Sequence, residues 1–369
     1  MRSAGCSMNW RRHSVKTIEE VIAYLQQFQK SIKIMEVCGT HTASIVKNGI
    51  QELLPDSIRL VSGPGCPVCV TPVSYIDRLV ELAFTRGHTL LSYGDLFKVK
   101  GSEYSLSAAK AAGADVRMVY SPLEAIQLAK ENPEHNYVVT AVGFETTAPV
   151  YALLLQQAET EQLDNIRLAA SLKTMPAVMD YVCSQEELDG FLCPGHVCSV
   201  TGIGAFQDLC ERYRKPFVIS GFSAEHILCS IYEIVRQIGR QKPAVKNFYP
   251  SVVKGEGNLK AQELMKKYFQ PVDAVWRGIG TVPESGLALR PRWEKYDAGS
   301  GTEQAESMPA GCACGDVIMG RIHPTGCPRF GKGCTPGNAM GPCMVSAEGA
   351  CGIWYENGTE DVTDAGSSS

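Results

Sequence analysis

The stretch IKIMEVCGTHTASIVK, residues 32–47, decides the fold of this chain of 369 residues. Its first six residues are mostly apolar or β-branched, which is typical of a buried strand. A short loop beginning at Cys38 and Gly39 ends the strand, and a helical pattern follows. The stretch therefore predicts a strand, a loop and a helix in succession, which is the unit from which parallel α/β sheets are built.

The same unit recurs along most of the chain, in two sets of four. Alternating strands and helices form mostly parallel sheets with right-handed connections, so we predict an α/β fold. It would contain two similar Rossmann-like parallel-sheet domains that face a cleft, with ligands beyond the carboxyl ends of the strands. The strand-like runs are IKIMEV, IRLVS, TLLSY and VRMVY in the first set, and YVVTAV, IRLAAS, GFLC and PFVIS in the second.

The predicted domains follow the two sets of strands. We assign residues 14–132 to the first α/β domain and 133–255 to the second. Residues 256–360 would form a linker helix and a small Cys-rich C-terminal iron–sulfur domain. The polar tail, 361–369, is expected to be disordered.

Three further segments are predicted from local patterns. Apolar residues at helical spacing predict a helix from Ile18 to Ser31. A second helix is expected from Leu259 to Tyr268, with Asn258 as its N-terminal cap. The residues from Trp276 to Arg292 have the composition of a loop that ends the α/β part.

Composition excludes several classes of protein. The net charge is −4 and there is no basic run, so a nucleic-acid partner is not expected. No apolar run reaches the length of a membrane span, and no secretory signal is recognisable. We therefore expect a cytoplasmic protein, in which a high cysteine content indicates metal binding or redox chemistry.

The C-terminal region contains six of the fifteen cysteines in a Gly- and Pro-rich context. It has too few large apolar residues to build a core, so it needs another organiser, either a metal centre or disulfides. The spacing lacks the paired knuckles of a zinc ribbon and favours a [4Fe–4S] cluster, although zinc stays an alternative. Four thiolates suffice for a cluster, and the surplus two could form a redox-active pair. The six are Cys312, Cys314, Cys327, Cys334, Cys343 and Cys351.

Cys66 and Cys69 form a Cys-x-x-Cys motif at a strand end. Two thiols at this spacing close a small disulfide ring, so the motif indicates redox function in a cytosolic α/β protein. The alternatives are half of a zinc site or two buried thiols.

Cys38 precedes His41 by three residues, also at a strand end. A thiolate and an imidazole at this spacing can bind one soft metal, and the alternative is a buried cysteine beside a capping segment. Glu145 follows a later strand and could carry a proton, or could simply be a carboxylate favoured by a helix N-terminus. The remaining cysteines are interpreted as ordinary small hydrophobic residues, namely Cys6, Cys183, Cys193, Cys198, Cys210 and Cys229.

Taken together, these motifs resemble the HypD family of hydrogenase maturation proteins, from about Ile18 to Tyr355. Their order along the chain makes the resemblance specific. The motifs are EVCGTHT (36–42), GPGCPVCVTP (63–72), YGDLFKV (93–99), GFETTAP (143–149), PGHV (194–197), WRGIGTVPESGL (276–287) and CTPGNAMGPCMVSAEGAC (334–351).

The resemblance implies a role in building the Fe(CN)2CO part of the [NiFe]-hydrogenase active site. A HypC-type small chaperone would share the iron, and a HypE-type partner would deliver cyanide. The resemblance implies an iron ligand at Cys38 with His41 beside it, and a redox pair at Cys66 and Cys69. It places the cluster on Cys312, Cys327, Cys334 and Cys351, and a second thiol pair on Cys314 and Cys343.

Two other functions are compatible with the same residues. The Cys-x-x-Cys motif and a cluster would also suit a stand-alone thiol–disulfide or iron–sulfur-dependent oxidoreductase, although no nucleotide or flavin fingerprint accompanies them. A zinc-stabilised interaction module is the third alternative. Whether the chain is itself an enzyme is left open by the sequence, since an assembly scaffold with redox-active thiols fits equally well.

Overall fold

The structure is a computed structural model, and it describes residues 17–305 and 311–358. The predictions for residues 14–16 and for the tail at 361–369 lie outside the described residues, and so does Cys6. No helix in the two described ranges is both long and apolar enough to cross a bilayer.

The described residues contain eleven strands, and they confirm the α/β class predicted from the sequence. All eight strand-like runs form strands. The strands are β1 (Ile32–Glu36), β2 (Ile58–Ser62), β3 (His88–Ser92), β4 (Val116–Met118), β5 (Asn136–Gly143), β6 (Ile166–Lys173), β7 (Gly190–Pro194), β8 (Phe217–Ser220), β9 (Val245–Asn247), β10 (Phe269–Trp276) and β11 (Gly280–Leu289).

Helices connect the strands and cover both sheets. Within the described ranges they are α1 (Ile18–Gln26), α2 (Gly39–Lys47), α3 (Val73–Phe84), α4 (Leu106–Ala111), α5 (Glu124–Glu131), α6 (Ala148–Thr160), α7 (Met175–Gln185), α8 (Gly195–Thr201), α9 (Gln207–Tyr213), α10 (Ala224–Arg240), α11 (Leu259–Tyr268), α12 (Cys314–Ile318) and α13 (Ala350–Asn357). The first helix ends five residues before the predicted Ser31. Helix α11 has the predicted bounds and cap, because the Asn258 side chain accepts a hydrogen bond from the Ala261 amide.

The strands form two sheets. The first has five parallel strands in the order β2-β1-β7-β8-β9. The second has the order β10-β11-β6-β5-β3-β4, in which β3 to β6 are parallel and β11 joins β6 antiparallel. Both sheets therefore share a similar parallel arrangement, as two Rossmann-like domains require.

The strand assignment of the two predicted domains is wrong. Strands β1 and β2 pair with β7 to β9 in one sheet, whereas β3 to β6 form the core of the other. The second sheet is thus inserted between β2 and β7 of the first, and a boundary near residue 132 cuts through it. Local patterns identify strands, but pairing depends on contacts distant in sequence.

The prediction of a loop from Trp276 to Arg292 is also wrong. Strands β10 and β11 form an antiparallel hairpin that extends the second sheet through the pairs Gly286–Lys173 and Leu287–Leu172. Its prolines and glycines conceal the strand pattern. Pro271 is tolerated because β10 is an edge strand, and an irregularity in register follows at Val272.

Each sheet is buried by its own helices. Beneath the first, residues such as Ile227, Ile231 and Ile234 of α10 pack against Ile34 and Leu192 of the strands. Beneath the second, the apolar side of α6 packs against β5 and β6. These two cores hold the strand ends in fixed positions.

The C-terminal segment, 311–358, lies at the carboxyl ends of β1 and β2. It consists of α12, α13 and short 3-10 turns joined by loops. A Cβ atom placed on Gly320 would lie 2.8 Å from Val61 and 3.0 Å from Met35, so the segment is in close contact with the first sheet. Its buried cysteines share one apolar cluster with residues of both sheets.

Candidate functional site

Each sheet has a point at which its strand order reverses. In the first sheet the reversal lies between β1 and β7, and in the second it lies between β3 and β5. Such points open a crevice beyond the strand ends, where α/β proteins bind ligands. Cys38 follows β1 and His196 follows β7, whereas Asp95 follows β3 and Glu145 follows β5. Motif residues thus lie at both reversals.

Cys38 lies between the end of β1 and the start of α2. Its backbone is extended, and its carbonyl accepts hydrogen bonds from the amides of His41 and Thr42. The side chain is half-buried. Burial, together with the neighbouring Glu36 carboxylate, raises the pKa of the Cys38 thiol to about 11. A free Cys38 is therefore protonated at neutral pH, and a metal that binds it must displace the proton.

Glu36 is a buried carboxyl that the sequence reasoning did not single out. One of its oxygens accepts from the Cys38 amide at 3.0 Å, and the other accepts from the Thr42 hydroxyl. Burial raises the pKa of Glu36 to about 7 in spite of these hydrogen bonds. An acidic residue inside the mostly apolar run IKIMEV was the available signal.

The disulfide loop, residues 63–72, lies directly against Cys38. A Cβ atom on Gly65 would lie 2.4 Å from the Cys38 amide nitrogen, so only glycine allows this approach. Cys66 and Cys69 form a disulfide and are 5% and 1% exposed. The structure therefore brings the predicted redox pair beside the predicted iron ligand.

The His41 ring is fully buried on the other side of Cys38. Its Nε2–H donates to the Gly221 carbonyl at 3.1 Å, which leaves Nδ1 as an acceptor without a partner among the described residues. Burial lowers the pKa of His41 to about 4, so the ring is neutral at pH 7. The Phe222 ring packs between His41 and His196, with centroid distances of 4.8 and 4.2 Å.

Glu145 is buried at the second reversal. Oε1 accepts from the Met175 amide at 2.9 Å, at the start of α7, and Oε2 has no partner in the described part of the chain. Burial raises the pKa of Glu145 to about 7. Burial first, and then the charges of Glu145 and Cys38, raise the pKa of the Cys198 thiol, so Cys198 lies near both. Glu145 and Cys38 thus both lie close enough to Cys198 to act on its thiol.

The six C-terminal cysteines surround one space, which we call the cysteine cavity. Arg329, Phe330, Gly341 and Met344 complete its lining. Cys314 interacts with Cys312 and with Cys343. The interaction with Cys314 and burial raise the pKa of Cys312, and burial raises the pKa of Cys343 against its interaction with Cys314. The described residues contain no group of three or more His, Cys, Asp or Glu side chains arranged to hold one metal ion.

The disulfide loop and the cysteine cavity are in contact. The Cys69 sulfur lies 3.9 Å from the Pro342 carbonyl oxygen, and Pro342 directly precedes Cys343. The loop that ends in the cavity also reaches Cys38, because a Cβ on Gly39 would lie 2.4 Å from the Glu348 carbonyl oxygen. Cys38, the disulfide and the cavity are therefore neighbours.

Arg277 is another residue that the sequence reasoning did not single out. It lies in the turn between β10 and β11, and its amide donates to the Val70 carbonyl at 2.8 Å. Its side chain is buried, and two of its nitrogens have no hydrogen-bond partner among the described residues. Its presence in the motif at 276–287 was the only signal in the sequence.

Four further cysteines are buried, as expected for small hydrophobic residues: Cys183, Cys193, Cys198 and Cys210. They belong to the same apolar cluster as the disulfide. Cys229 is half-buried on α10.

Comparison with known proteins gives a consistent result. The family model HypD, described as the hydrogenase formation hypA family, matches residues 13–358. A putative hydrogenase expression/formation protein of Methanocaldococcus jannaschii is 39% identical over 95% of this chain and 98% of its own length. The hydrogenase maturation factors HypD of Rhodobacter capsulatus and Escherichia coli are 40% and 39% identical. Each match covers 89% of this chain and 90% of the relative.

Proposed function

The chain belongs to the HypD family of hydrogenase maturation factors, and from this premise we propose that it is an iron–sulfur scaffold for the Fe(CN)2CO fragment of [NiFe]-hydrogenases. It would work in the cytoplasm with a HypC-type chaperone that shares the iron and a HypE-type partner that delivers cyanide. The observation that carries the proposal is the position of Cys38 at the reversal between β1 and β7, beside the Cys66–Cys69 disulfide.

Cys38 is the proposed anchor for the iron, which is the cargo of the scaffold. A thiolate is a soft ligand and suits iron that carries cyanide and carbonyl. The Cys38 side chain is half-buried, so an iron bound there remains open to partner proteins on one side. The neutral His41 ring would assist from the buried side through its unpartnered Nδ1.

Glu36 and Glu145 are proposed to move protons at this site. Each carboxyl has a pKa raised to about 7 by burial, so each can bind or release a proton near neutral pH. Glu36 contacts the Cys38 amide and is placed to influence the thiol proton that iron displaces. Glu145 follows β5 of the opposite sheet and is buried.

We propose that the cysteine cavity holds a [4Fe–4S] cluster. Its thiols enclose a space instead of converging on one point, and the lining residues include no carboxylate that would favour a harder metal. Cys312, Cys327, Cys334 and Cys351 would hold the cluster, and when bound it would supply electrons one at a time. Cys314 and Cys343 are then the second thiol pair.

We propose that the thiol pair Cys314/Cys343 exchanges with the Cys66–Cys69 disulfide. A Cys343 thiolate attacks one sulfur of that disulfide, which forms a mixed disulfide and releases the other sulfur as a thiolate. The Cys314 thiolate then attacks the Cys343 sulfur of the mixed disulfide and releases the second thiolate. The products are a Cys314–Cys343 disulfide and two thiols at Cys66 and Cys69, so two electrons and two protons pass overall. Contact between Cys69 and Pro342 supports this route.

Anaerobic purification with the HypC-type partner, followed by infrared spectroscopy of the cyanide and carbonyl bands, tests the anchor. Cys38→Ala should remove these bands while the visible absorption of the iron–sulfur centre remains. Cys229→Ala is the matched control, because it removes a half-buried thiol on α10. Bands of normal intensity in Cys38→Ala would disprove the anchor role.

A stand-alone thiol–disulfide oxidoreductase is the second candidate, and the disulfide itself is the observation in its favour. The two sulfur-bearing residues are no more than 5% exposed, which suits exchange inside the chain better than exchange with a folded partner. Catalytic reduction of a protein disulfide by the purified chain at a rate typical of such enzymes would favour this second candidate.

A further inference from the structure

Arg277 is held between the disulfide loop and the cysteine cavity. Its amide donates to the Val70 carbonyl in the disulfide loop. On the other side, the neighbouring Gly278 carbonyl packs so closely on Gly315 that a Cβ there would lie 2.4 Å from its oxygen. Gly315 is the second residue of α12, directly after Cys314. The backbone of Arg277 is thus fixed from two directions.

The Arg277 side chain is buried and positively charged, and no carboxylate among the described residues pairs with it. Its residue is 4% exposed, and Nε and Nη1 have no hydrogen-bond partner among the described residues. None of the ion pairs found within residues 17–305 and 311–358 includes it. Arginine keeps its charge in proteins, so burial without a partner is costly. A negative group is needed to offset that cost.

The groups near this charge that can become negative are the sulfurs of the cysteine cavity. The hydrogen bond to Cys314 and burial raise the pKa of Cys312, whereas in Cys343 burial raises the pKa against the hydrogen bond to Cys314. The positive charge of Arg277 acts against the rise in both. Because Gly278 packs on Gly315, directly after Cys314, the buried Arg277 adjoins the cavity closely enough to stabilise negative charge on its sulfurs. Neutral thiols would leave the guanidinium uncompensated, whereas thiolates bound to a metal cluster would compensate it.

We infer that Arg277 is the fixed counter-charge of the cysteine cavity, a positioning residue that stabilises its anionic, cluster-bearing state and raises the reduction potential of the cluster. A cationic hydrogen-bond donor beside cluster sulfurs favours the more reduced and more negative state. The inference rests on the proposed function only in assuming that the cavity holds a cluster.

Replacement of Arg277 by methionine removes the charge and preserves much of the apolar stem. At a fixed ambient potential, we expect the ratio of reduced to oxidised cluster in Arg277→Met to fall by about tenfold, which corresponds to about 59 mV for one electron. Arg277→Lys should lie between this variant and the wild type. Electron paramagnetic resonance of the full chain during a redox titration measures the ratio.

Arg290→Met is the matched control. Arg290 lies after β11, about 30 Å along the strand from the turn, and its Nε donates to the carbonyls of Lys266 and Phe269. Arg290→Met removes the same charge from the end of the same hairpin, and we expect no change in the ratio of reduced to oxidised cluster.

Stability provides a second readout that does not depend on electron transfer. Without the cluster, Arg277→Met should melt at the same temperature as the wild type or higher, because an uncompensated buried charge is gone. With the cluster bound, it should melt at a lower temperature than the wild type. A wild-type chain without any cluster would refute the proposed function. A normal cluster with an unchanged potential in Arg277→Met, or equal losses of stability with and without it, would refute the inference about Arg277 alone.

Discussion

The surroundings of Cys38 and the cysteine cavity lie side by side but are built by different means. Cys38 is fixed by backbone, since β1 and α2 meet at it and Gly65 packs directly on its amide. Around it the parallel sheets bury large apolar cores. The cysteine cavity is enclosed by loops and short turns, and its lining is dominated by the six thiols themselves.

Under the proposed function, this difference separates a site that the fold forms from a site that requires a cofactor. The strand ends around Cys38 should keep their positions without any metal, because sheet pairing and core packing determine them. The segment 311–358 contains none of the described strands, and metal–thiolate bonds would add the stabilisation that strand pairing gives elsewhere. Each prediction below tests this contrast or makes it more quantitative.

The largest effect is expected from loss of a proposed cluster ligand. Cys334→Ala should remove most of the bound iron and increase amide hydrogen exchange across 311–358 on the order of 100-fold, because several kcal/mol of metal-derived stabilisation is lost. Exchange in β1 and β5 should stay within about twofold of the wild type. Mass spectrometry of exchanged peptides measures both regions in one sample.

Cys229→Ala is the control for Cys334→Ala, and it should retain iron and the wild-type exchange pattern. If amide exchange in Cys334→Ala increased equally in the sheets and in 311–358, the two regions would fold as one unit. The proposed difference between them would then be wrong.

The next effect is a pH dependence caused by Glu145. Its pKa is raised from 4.5 to about 7 in the folded chain, so the folded state holds a proton that the unfolded state releases. Stability must therefore fall as pH rises from about 4.5 to about 7. Glu145→Gln removes this loss, and at pH 7.5 it should be more stable than the wild type by about 3 kcal/mol.

Denaturant titrations of both proteins at several pH values isolate the Glu145 contribution, since Glu36 and His41 titrate in both. The two proteins should have similar stability near pH 4.5. Glu263→Gln, on the exposed side of α11, is the control and should leave the pH profile unchanged. If the free energies of unfolding of Glu145→Gln and the wild type differed by the same amount at every pH, titration of Glu145 would be excluded as the cause of the difference.

A smaller effect is expected at Gly65. In Gly65→Ala the new methyl group would meet the backbone of Val37 and Cys38 at 2.3–2.5 Å, so the disulfide loop must move away. Overpacking of this kind costs about 1–3 kcal/mol. We expect a lower denaturation midpoint and weaker iron retention at Cys38, with the cluster absorption unchanged.

Gly204→Ala is the control for Gly65→Ala, because a Cβ there has no atom within 4 Å. If Gly65→Ala retained full stability and full iron binding, the close approach of the disulfide loop to Cys38 would have no functional importance.

The parts of the molecule that the sequence predicted are those fixed by local pattern. Short apolar runs bounded by Gly or Pro loops predicted β1 to β8, and an Asn before a helical pattern predicted the cap of α11. Cys66 and Cys69 were recognisable because three residues of spacing suffice for a disulfide. Short patterns of this kind can be recognised without knowing which strands pair with one another.

The features that the sequence did not predict depend on distant contacts. Which strands pair, and hence the insertion of β3 to β6 between β2 and β7, is decided by packing of faces that all read as equally apolar. The hairpin of β10 and β11 was concealed by Pro271, which an edge strand tolerates, and by Pro283, which lies at the irregularity in register. The importance of Glu36 and Arg277 arises from burial, which a charged residue in a strand-like run and a motif match do not by themselves reveal.

The smallest expected effect tests whether the α/β part is independent of the cavity. Asn258→Ala removes the side-chain oxygen that accepts from the Ala261 amide at the start of α11, which costs about 1 kcal/mol. Asn258→Ser retains a capping oxygen and should recover most of the loss. Because α11 packs on α6, we expect a lower denaturation midpoint when unfolding is followed at the second sheet. The visible absorption of the iron–sulfur centre and the exchange of 311–358 should remain unchanged. A loss of cluster in Asn258→Ala would mean that stability is transmitted from the sheets to the cavity, and the cavity would then depend on the fold as well as on its metal.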